Sequence, residues 1–436
     1  MGRKGLWLSA AAGLLLGGGC IPGVPETSAE RQGETGEEMP RWAMEGRNMR
    51  PGPGYRFVEG LARPMAWGAL GAQTPTPITK GTDHVHFADI RRKWAAWVRI
   101  PTLDGSPTRI SPESRHVASY GILGGGGAIS KIQEWMKVVS IESGEEVWAW
   151  ETNRDVRDIR WLTEETLLYT VDPKRWSVKE PSEWVMRKLN PFTKEEREVY
   201  LAPRGCVIWN FFPSPSGRHV VVREEPQPGK GYSALYVVDL ETGGKRRLWD
   251  GYGSMHPFNT YWWPDEKHVY LEDVRDNGYG PVKASVEEPG RYEPLSRRHR
   301  QLERRTKGSL SPSGRKLVYS DPNRAGVFVL DLEGGQEEEI FRYKVAEGGC
   351  WLSDVAWSKD EDVVVGRVSF AWSIPGSGWP FNTPGAAGLQ YTVFAADLAR
   401  REASFFRSDN RKGSPLFLVE NPRVIEALRK RSVPWQ

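Results

Sequence analysis

Cysteine is nearly missing: three residues in 436 cannot frame a disulfide scaffold or a cysteine-rich zinc site. Charge of one sign is missing too. Sixty basic residues face 56 acidic ones, a net of +4, so the chain is not an electrostatic nucleic-acid binder. No apolar run reaches the ~20 residues that a membrane-crossing helix needs. Helical periodicity is scarce, with Arg423–Arg431 the clearest stretch. Glycine and proline, 47 and 32 residues, stay below the ~25–30% of a low-complexity chain. The sequence carries no Gly-x-Ser-x-Gly nucleophile elbow, phosphate loop, dinucleotide fingerprint or His-Glu-x-x-His. Tryptophan, by contrast, is abundant, with 20 residues.

The N-terminus has the order of a secretory signal. Arg3 and Lys4 precede an eleven-residue apolar run, Leu6–Leu16, and Gly17, Gly18, Gly19 and Cys20 follow. This junction resembles the lipobox of bacterial lipoproteins, with Gly17 standing where that family prefers leucine. The resemblance implies cleavage before Cys20 and a diacylglycerol on its thiol. Residues 1–19 are therefore expected to be a signal peptide, and Cys20 the only membrane attachment. Residues 20–82 read as a flexible tether. Five glutamates and no large apolar residue lie between Glu26 and Glu38, and Pro51-Gly52-Pro53-Gly54 and Thr74-Pro75-Thr76-Pro77 follow. Such composition buries too little apolar area to offset ordering entropy, although Trp42, Tyr55, Phe57 and Trp67 could still dock locally.

Residues 83–420 repeat. A turn, polar residues and an apolar strand recur as SPESRHVASY (Ser111–Tyr120), WLTEETLLYT (Trp161–Thr170), SPSGRHVVV (Ser214–Val222), WPDEKHVYL (Trp263–Leu271), SPSGRKLVY (Ser311–Tyr319) and WSKDEDVVV (Trp357–Val365). The anchors His116, Thr166, His219, His268, Lys316 and Asp362 are 50, 53, 49, 48 and 46 residues apart. Between them lie hairpins with acidic or glycine tips, such as Val237–Trp249 and Val329–Phe341. Each period thus holds about four short strands, the arithmetic of a propeller blade. The expectation is an all-β fold, a β-propeller of six or seven four-stranded blades. Residues 83–420 span about 6.9 periods, so seven is preferred. His84–Ile100 and Ser414–Glu420 could then pair as a composite blade. Residues 421–436 form a tail with a short helix.

Ser-Pro-x-Gly-Arg/Lys before an apolar strand resembles the repeats of TolB-type propellers and of prolyl-oligopeptidase propellers. That resemblance implies the fold and not an activity. Val138–Trp148 and Val237–Trp249 resemble the Trp-docking repeat of quinoprotein propellers, but only these two copies keep the closing tryptophan. No cofactor is expected.

Candidate residues sort by repeat position. His116, His219 and His268 share one position and so sit on different blades, in structural roles. Asp83-His84-Val85-His86 is the better metal candidate, since His84 and His86 share one strand face, but no further ligand can be named and no metal is assigned. Cys206 and Cys350 are three repeats apart and are expected to stay reduced. Trp161, Trp263 and Trp357 recur beside the turn. The basic stretch from Arg297 to Lys307 reads as a solvated connection.

The longest inserts fall at one place in each repeat: Gly121–Gln133, Asp172–Glu183, Arg223–Tyr232, Asp273–Pro281, Ser320–Gly326 and Phe370–Gln390. They carry Trp176, Tyr232, Tyr279, Trp372, Trp379 and Phe381, which makes that face the expected binding surface. The function expected is that of a lipid-anchored cell-envelope protein, at the outer membrane or facing the periplasm, whose propeller is a monomeric, non-catalytic scaffold for an envelope protein or a glycan. The alternatives are a secreted protein, or a propeller enzyme acting on carbohydrate or peptide from the loop face. Carboxylates converging at the central mouth would favour the enzyme, and an aromatic, poorly ionisable mouth would favour the binder.

Overall fold

In the computed structural model, residues 49–58 and most of 83–431 are described. The breaks are at 92–93, 101–107, 124–132, 153–154, 173–182, 227–232, 253–259, 273–280, 303–306, 322–323, 344–349, 374–386, 408–415 and 419. The regular structure of the described residues is nearly all strand, arranged as seven sheets, and the fold is a β-propeller.

Two short strands come first, β1 (Met49–Pro51) and β2 (Arg56–Phe57), then β3 (Asp83–Asp89) and β4 (Trp94–Ile100). Six four-strand meanders follow. The first is β5 (Thr108–Ile110), β6 (His116–Leu123), β7 (Gln133–Ser140) and β8 (Glu146–Thr152). The second is β9 (Asp155–Thr163), β10 (Thr166–Asp172), β11 (Val185–Leu189) and β12 (Glu196–Leu201). The third is β13 (Cys206–Pro213), β14 (His219–Pro226), β15 (Ser233–Asp239) and β16 (Lys245–Tyr252). The fourth is β17 (Thr260–Trp262), β18 (His268–Leu271), β19 (Val282–Ser285) and β20 (Tyr292–Pro294). The fifth is β21 (Lys307–Leu310), β22 (Lys316–Asp321), β23 (Gly326–Asp331) and β24 (Glu337–Tyr343). The sixth is β25 (Cys350–Trp357), β26 (Val363–Ser373), β27 (Ala387–Asp397) and β28 (Glu402–Arg407). Last come β29 (Leu416–Leu418) and helix α1 (Pro422–Arg431).

The seventh sheet joins the two ends of the repeat region, in the order β29-β3-β4. Phe417 lies opposite Phe87 in a parallel pair, so β3 is not left as an open edge. Arg91, just after β3, donates to Asp360 at 2.6 Å and Asp397 at 3.2 Å, which ties this sheet to the sixth meander.

Packing explains the strand sequences. Most core clusters draw on two neighbouring sheets, and one joins the first meander to helix α1 through Val424, Ile425 and Leu428. Ala118, Met136 and Val138 meet Ile159, Leu167 and Tyr169, for example, and Val221, Leu235 and Val237 meet Trp262, Val269 and Leu271. Middle strands are therefore covered on both faces. In β10 every residue after Thr166 is buried, and strict alternation disappears. Outer strands keep solvent, as in β12, where Glu196, Arg197 and Glu198 are exposed. The connection after β20 is not merely solvated, because Leu295 and Leu302 enter the core beside Trp263.

The turns repeat in atomic detail. In the three Ser-Pro turns and the Ser-Lys turn of the sixth meander, the Ser111, Ser214, Ser311 and Ser358 hydroxyls accept from the amides of His116 (3.0 Å), His219 (3.1 Å), Lys316 (3.0 Å) and Val363 (2.9 Å). The sixth anchor is therefore Val363, one residue beyond Asp362. In the fourth meander Trp263 occupies the serine position, and Asp265 Oδ1 accepts from the amides of Lys267 and His268 instead. At the outer hairpins, Asp239 and Asp331 cap their own turns in the same way, each accepting from two following amides.

The tether needs a partial correction. Residues 49–58 are docked. β1 pairs antiparallel with β24, β2 pairs parallel with β28, and Tyr55 is buried in the core shared by the fifth and sixth meanders. Local docking of Tyr55 was open from the sequence, and the segment borrows its partners. Two sheet edges supply the hydrogen bonds, and a finished core receives one aromatic ring.

Candidate functional site

A cavity of about 640 Å³ opens where the first strands of five consecutive meanders end. Arg160 comes from β9, Phe212 from β13, Tyr261 and Trp262 from β17, Ser309 from β21 and Trp357 from β25. The size suits a small-molecule pocket, typically ~300–1,000 Å³.

Indole hydrogen bonds between neighbouring meanders hold these strands. Trp161 Nε1 donates to the Arg109 carbonyl at 3.0 Å, Trp262 to Phe212 at 2.8 Å and Trp357 to Ser309 at 3.2 Å. The recurring tryptophan of the fourth meander is thus Trp262, and not Trp263, which packs against Tyr270. β17 ends one residue before Trp263, so register alone separates the two neighbours.

Arg160 is the cation of the wall. Its Nε donates to Asp158 at 3.2 Å, and Asp158 also receives Arg109 Nη2 at 3.3 Å and the Ile159 amide at 2.9 Å. The guanidinium lies 5.2 Å from the Phe212 ring centroid. Burial, and then the charge of Arg109, lower the Arg160 pKa. Burial pushes the Tyr261 hydroxyl well above its ordinary value, although a bond to Ser309 opposes the shift. Thr260 is 4% exposed, and its Oγ1 has no partner among the described residues. Among the described lining residues, Arg160 and Tyr261 are the ionisable ones.

Sequence reasoning did not find this site, though a signal existed. Arg160, Phe212, Tyr261 and Ser309 are 52, 49 and 48 residues apart, one per repeat, just before the turn. Cys20, Trp176, Tyr232, Tyr279, Trp379 and Phe381 lie outside the described residues. Trp372 is in strand β26, paired with Gly388 of β27, so the expected Phe370–Gln390 loop is corrected to two long strands flanking 374–386. Likewise β14 runs to Pro226, into the expected Arg223–Tyr232 insert.

The three repeat histidines are dispersed on β6, β14 and β18. His116 Nδ1 is 3.0 Å from Glu164, and His268 Nδ1 is 2.7 Å from Asp265. Cys206 is free. His84 and His86 lie in β3 opposite Arg99 and Trp97, and their side chains are outside the described residues. Among the described residues no cluster of three metal-ligating side chains occurs, and no helix is long and apolar enough to cross a membrane.

No family model and no curated protein matches the chain. Solved structures resemble it in fold. The periplasmic gluconolactonase of Pseudomonas aeruginosa is 15% identical over 74% of this chain and 93% of its own, with a TM-score of 0.44. An oligogalacturonate lyase from Vibrio parahaemolyticus is 13% identical over 75% and 86%, with a TM-score of 0.45. The Cps50 (Swd1) β-propeller domain of Myceliophteria thermophila is 10% identical over 72% and 98%, with a TM-score of 0.40.

Proposed function

We propose that this chain is a TolB-type lipoprotein of the cell envelope, anchored through Cys20, whose propeller is a non-catalytic binding module for an envelope protein or a glycan. The observation that carries the reading is the cavity wall. It is aromatic and aliphatic, with one arginine and a tyrosine whose hydroxyl is held protonated. A hydrolase or lyase would need proton-transfer groups with pKa values near the working pH, and the described lining supplies none.

The test has two arms. The full-length chain is used to capture partners from envelope extract under crosslinking, and the same preparation is assayed for turnover of polysaccharide and peptide panels. A saturable complex with an unaltered partner is expected. Turnover that survives repurification would overturn the scaffold in favour of an enzyme. The anchor is tested by mass spectrometry of the mature N-terminus, where diacylglyceryl-Cys20 is the expected first residue. An unmodified Cys20 would remove the lipoprotein part and leave a secreted binder.

A further inference from the structure

The cavity holds two groups whose hydrogen bonds are incomplete. Thr260 Oγ1 is buried in its wall without a partner among the described residues. Buried hydroxyls are rarely left so, and Thr260 lines the cavity. Arg160 uses Nε on Asp158, and no described residue accepts from its Nη1 or Nη2. Its side chain is 26% exposed although its strand is the first of a covered sheet, and it lines the cavity. Arg109 and Arg160 both bear on Asp158. Glu272 is fully buried, and it accepts from the Gly308 amide rather than lining the cavity.

We propose that this cavity binds a small carboxylate carrying a ring. The carboxylate would pair with the forked Nη atoms of Arg160, a geometry that guanidinium matches with two parallel bonds. A further acceptor of the ligand would take the Thr260 hydroxyl proton. The ring would lie against Phe212, Trp262 and Trp357. An acidic sugar and the C-terminal residue of a peptide present the same chemistry, and the experiment separates them. The site goes beyond the scaffold reading and stands independently of it, since small-ligand binding is measured on the purified chain whether or not a macromolecular partner is captured.

Titration calorimetry on the full-length protein uses two matched pairs, glucuronate against glucose and N-acetylphenylalanine against its amide. At least one acid should bind one-to-one, with its neutral counterpart about tenfold weaker or more. The responding pair names the source. Arg160→Gln should weaken the acid by about tenfold or more and Arg160→Lys by less, with Thr260→Val weakening it about three- to tenfold at unchanged melting temperature. Absence of binding by both acids overturns the proposal, as does equal binding of the neutral partners. If Arg160→Gln does not fold, Thr260→Val decides: a folded variant with parental affinity overturns the site.

Discussion

Glu266 reaches back fifty residues to Ser216, accepting its amide at 2.5 Å and its hydroxyl at 2.8 Å. The same clasp joins Glu164 to the Ser111 hydroxyl (2.6 Å) and the Glu113 amide (2.8 Å), and Glu361 to the Ser313 amide and hydroxyl. A carboxylate of the following period thus fastens each of the three Ser-Pro turns, at Ser111, Ser214 and Ser311, to the next sheet. Glu266 and Glu361 hold it from left-handed backbone, with φ of 52° and 60°. That conformation costs non-glycine residues ~1 kcal/mol or more, and here two charge-assisted bonds offset it.

Glu266→Gln keeps the shape and removes the charge. It should destabilise the fold by about 1–2 kcal/mol, since one accepting oxygen becomes a donor facing a donor. Glu266→Ala should cost more, because the Ser216 amide loses its partner altogether. Urea midpoints at unchanged m-value measure both. A neutral Glu266→Ala would mean that water replaces the clasp at no cost.

Acid should loosen these clasps. In Glu164 and Glu266 burial works to raise the pKa, but hydrogen bonds from the neighbouring turn outweigh it and the net shift is downward. The Thr242 and Gly334 amides lower Asp239 and Asp331, and Arg91 with the Ser358 hydroxyl holds Asp360 at about 2. Each group is more acidic folded than unfolded, so the unfolded chain binds more protons and stability rises with pH. The contribution is complete above about pH 5 and fades as the pH falls through the folded values. Denaturant midpoints should therefore be level from about pH 7 to 5 and drop steeply from about 4 to 3. A flat profile to about pH 3 would contradict the clasp assignments.

Gly217 and Gly314 occupy the same turn position with nearly the same φ, 69° and 73°, yet they should not tolerate alanine equally. A Cβ at Gly217 meets Leu162 at an ordinary 3.7 Å, whereas one at Gly314 would be 2.5 Å from Trp263 Cδ1. Gly217→Ala should cost about 1 kcal/mol, for the left-handed backbone alone. Gly314→Ala should cost about 2–4 kcal/mol, because Trp263 is buried and must move as well. Equal midpoints for the two variants would show that Trp263 yields freely.

The fold was legible because its signal is repetitive. A period near 49 residues is written in the Ser-Pro turns, and the same spacing reappears as Ser216–Glu266 and Ser313–Glu361. Position within the period was also legible, which is why the three histidines separate as expected. Register at one-residue resolution was not. Trp262 and Trp263 are adjacent, and only the strand end at Trp262 shows which indole crosses to the next sheet. The cavity stayed hidden because its residues are bland one at a time. An arginine, a phenylalanine, a tyrosine and a serine gain meaning only when the repeats are superposed.

The docked N-terminal segment offers a sharp test. Gly52 lies where β1 leaves β24, and its amide donates to the Ile340 carbonyl at 2.9 Å. A Cβ there would overlap the Glu339 carbonyl oxygen, which is backbone in a paired strand and cannot swing aside. Gly52→Ala should therefore undock residues 49–58 and leave the sheets assembled. Tyr55, 8% exposed, would leave its place in the core, and the edges of β24 and β28 would open. A large ring withdrawn from a core costs ~3–5 kcal/mol by truncation. Here other side chains can settle over the gap, so about 1–3 kcal/mol is expected. Limited proteolysis should cut Gly52→Ala near Arg50 and Arg56 while sparing the parent, and Tyr55→Ala should give the same cleavage by removing the other anchor. Protection of both variants would show that β1 and β2 are held by edge pairing without either contact. Global unfolding of Gly52→Ala would make the segment part of the folding core.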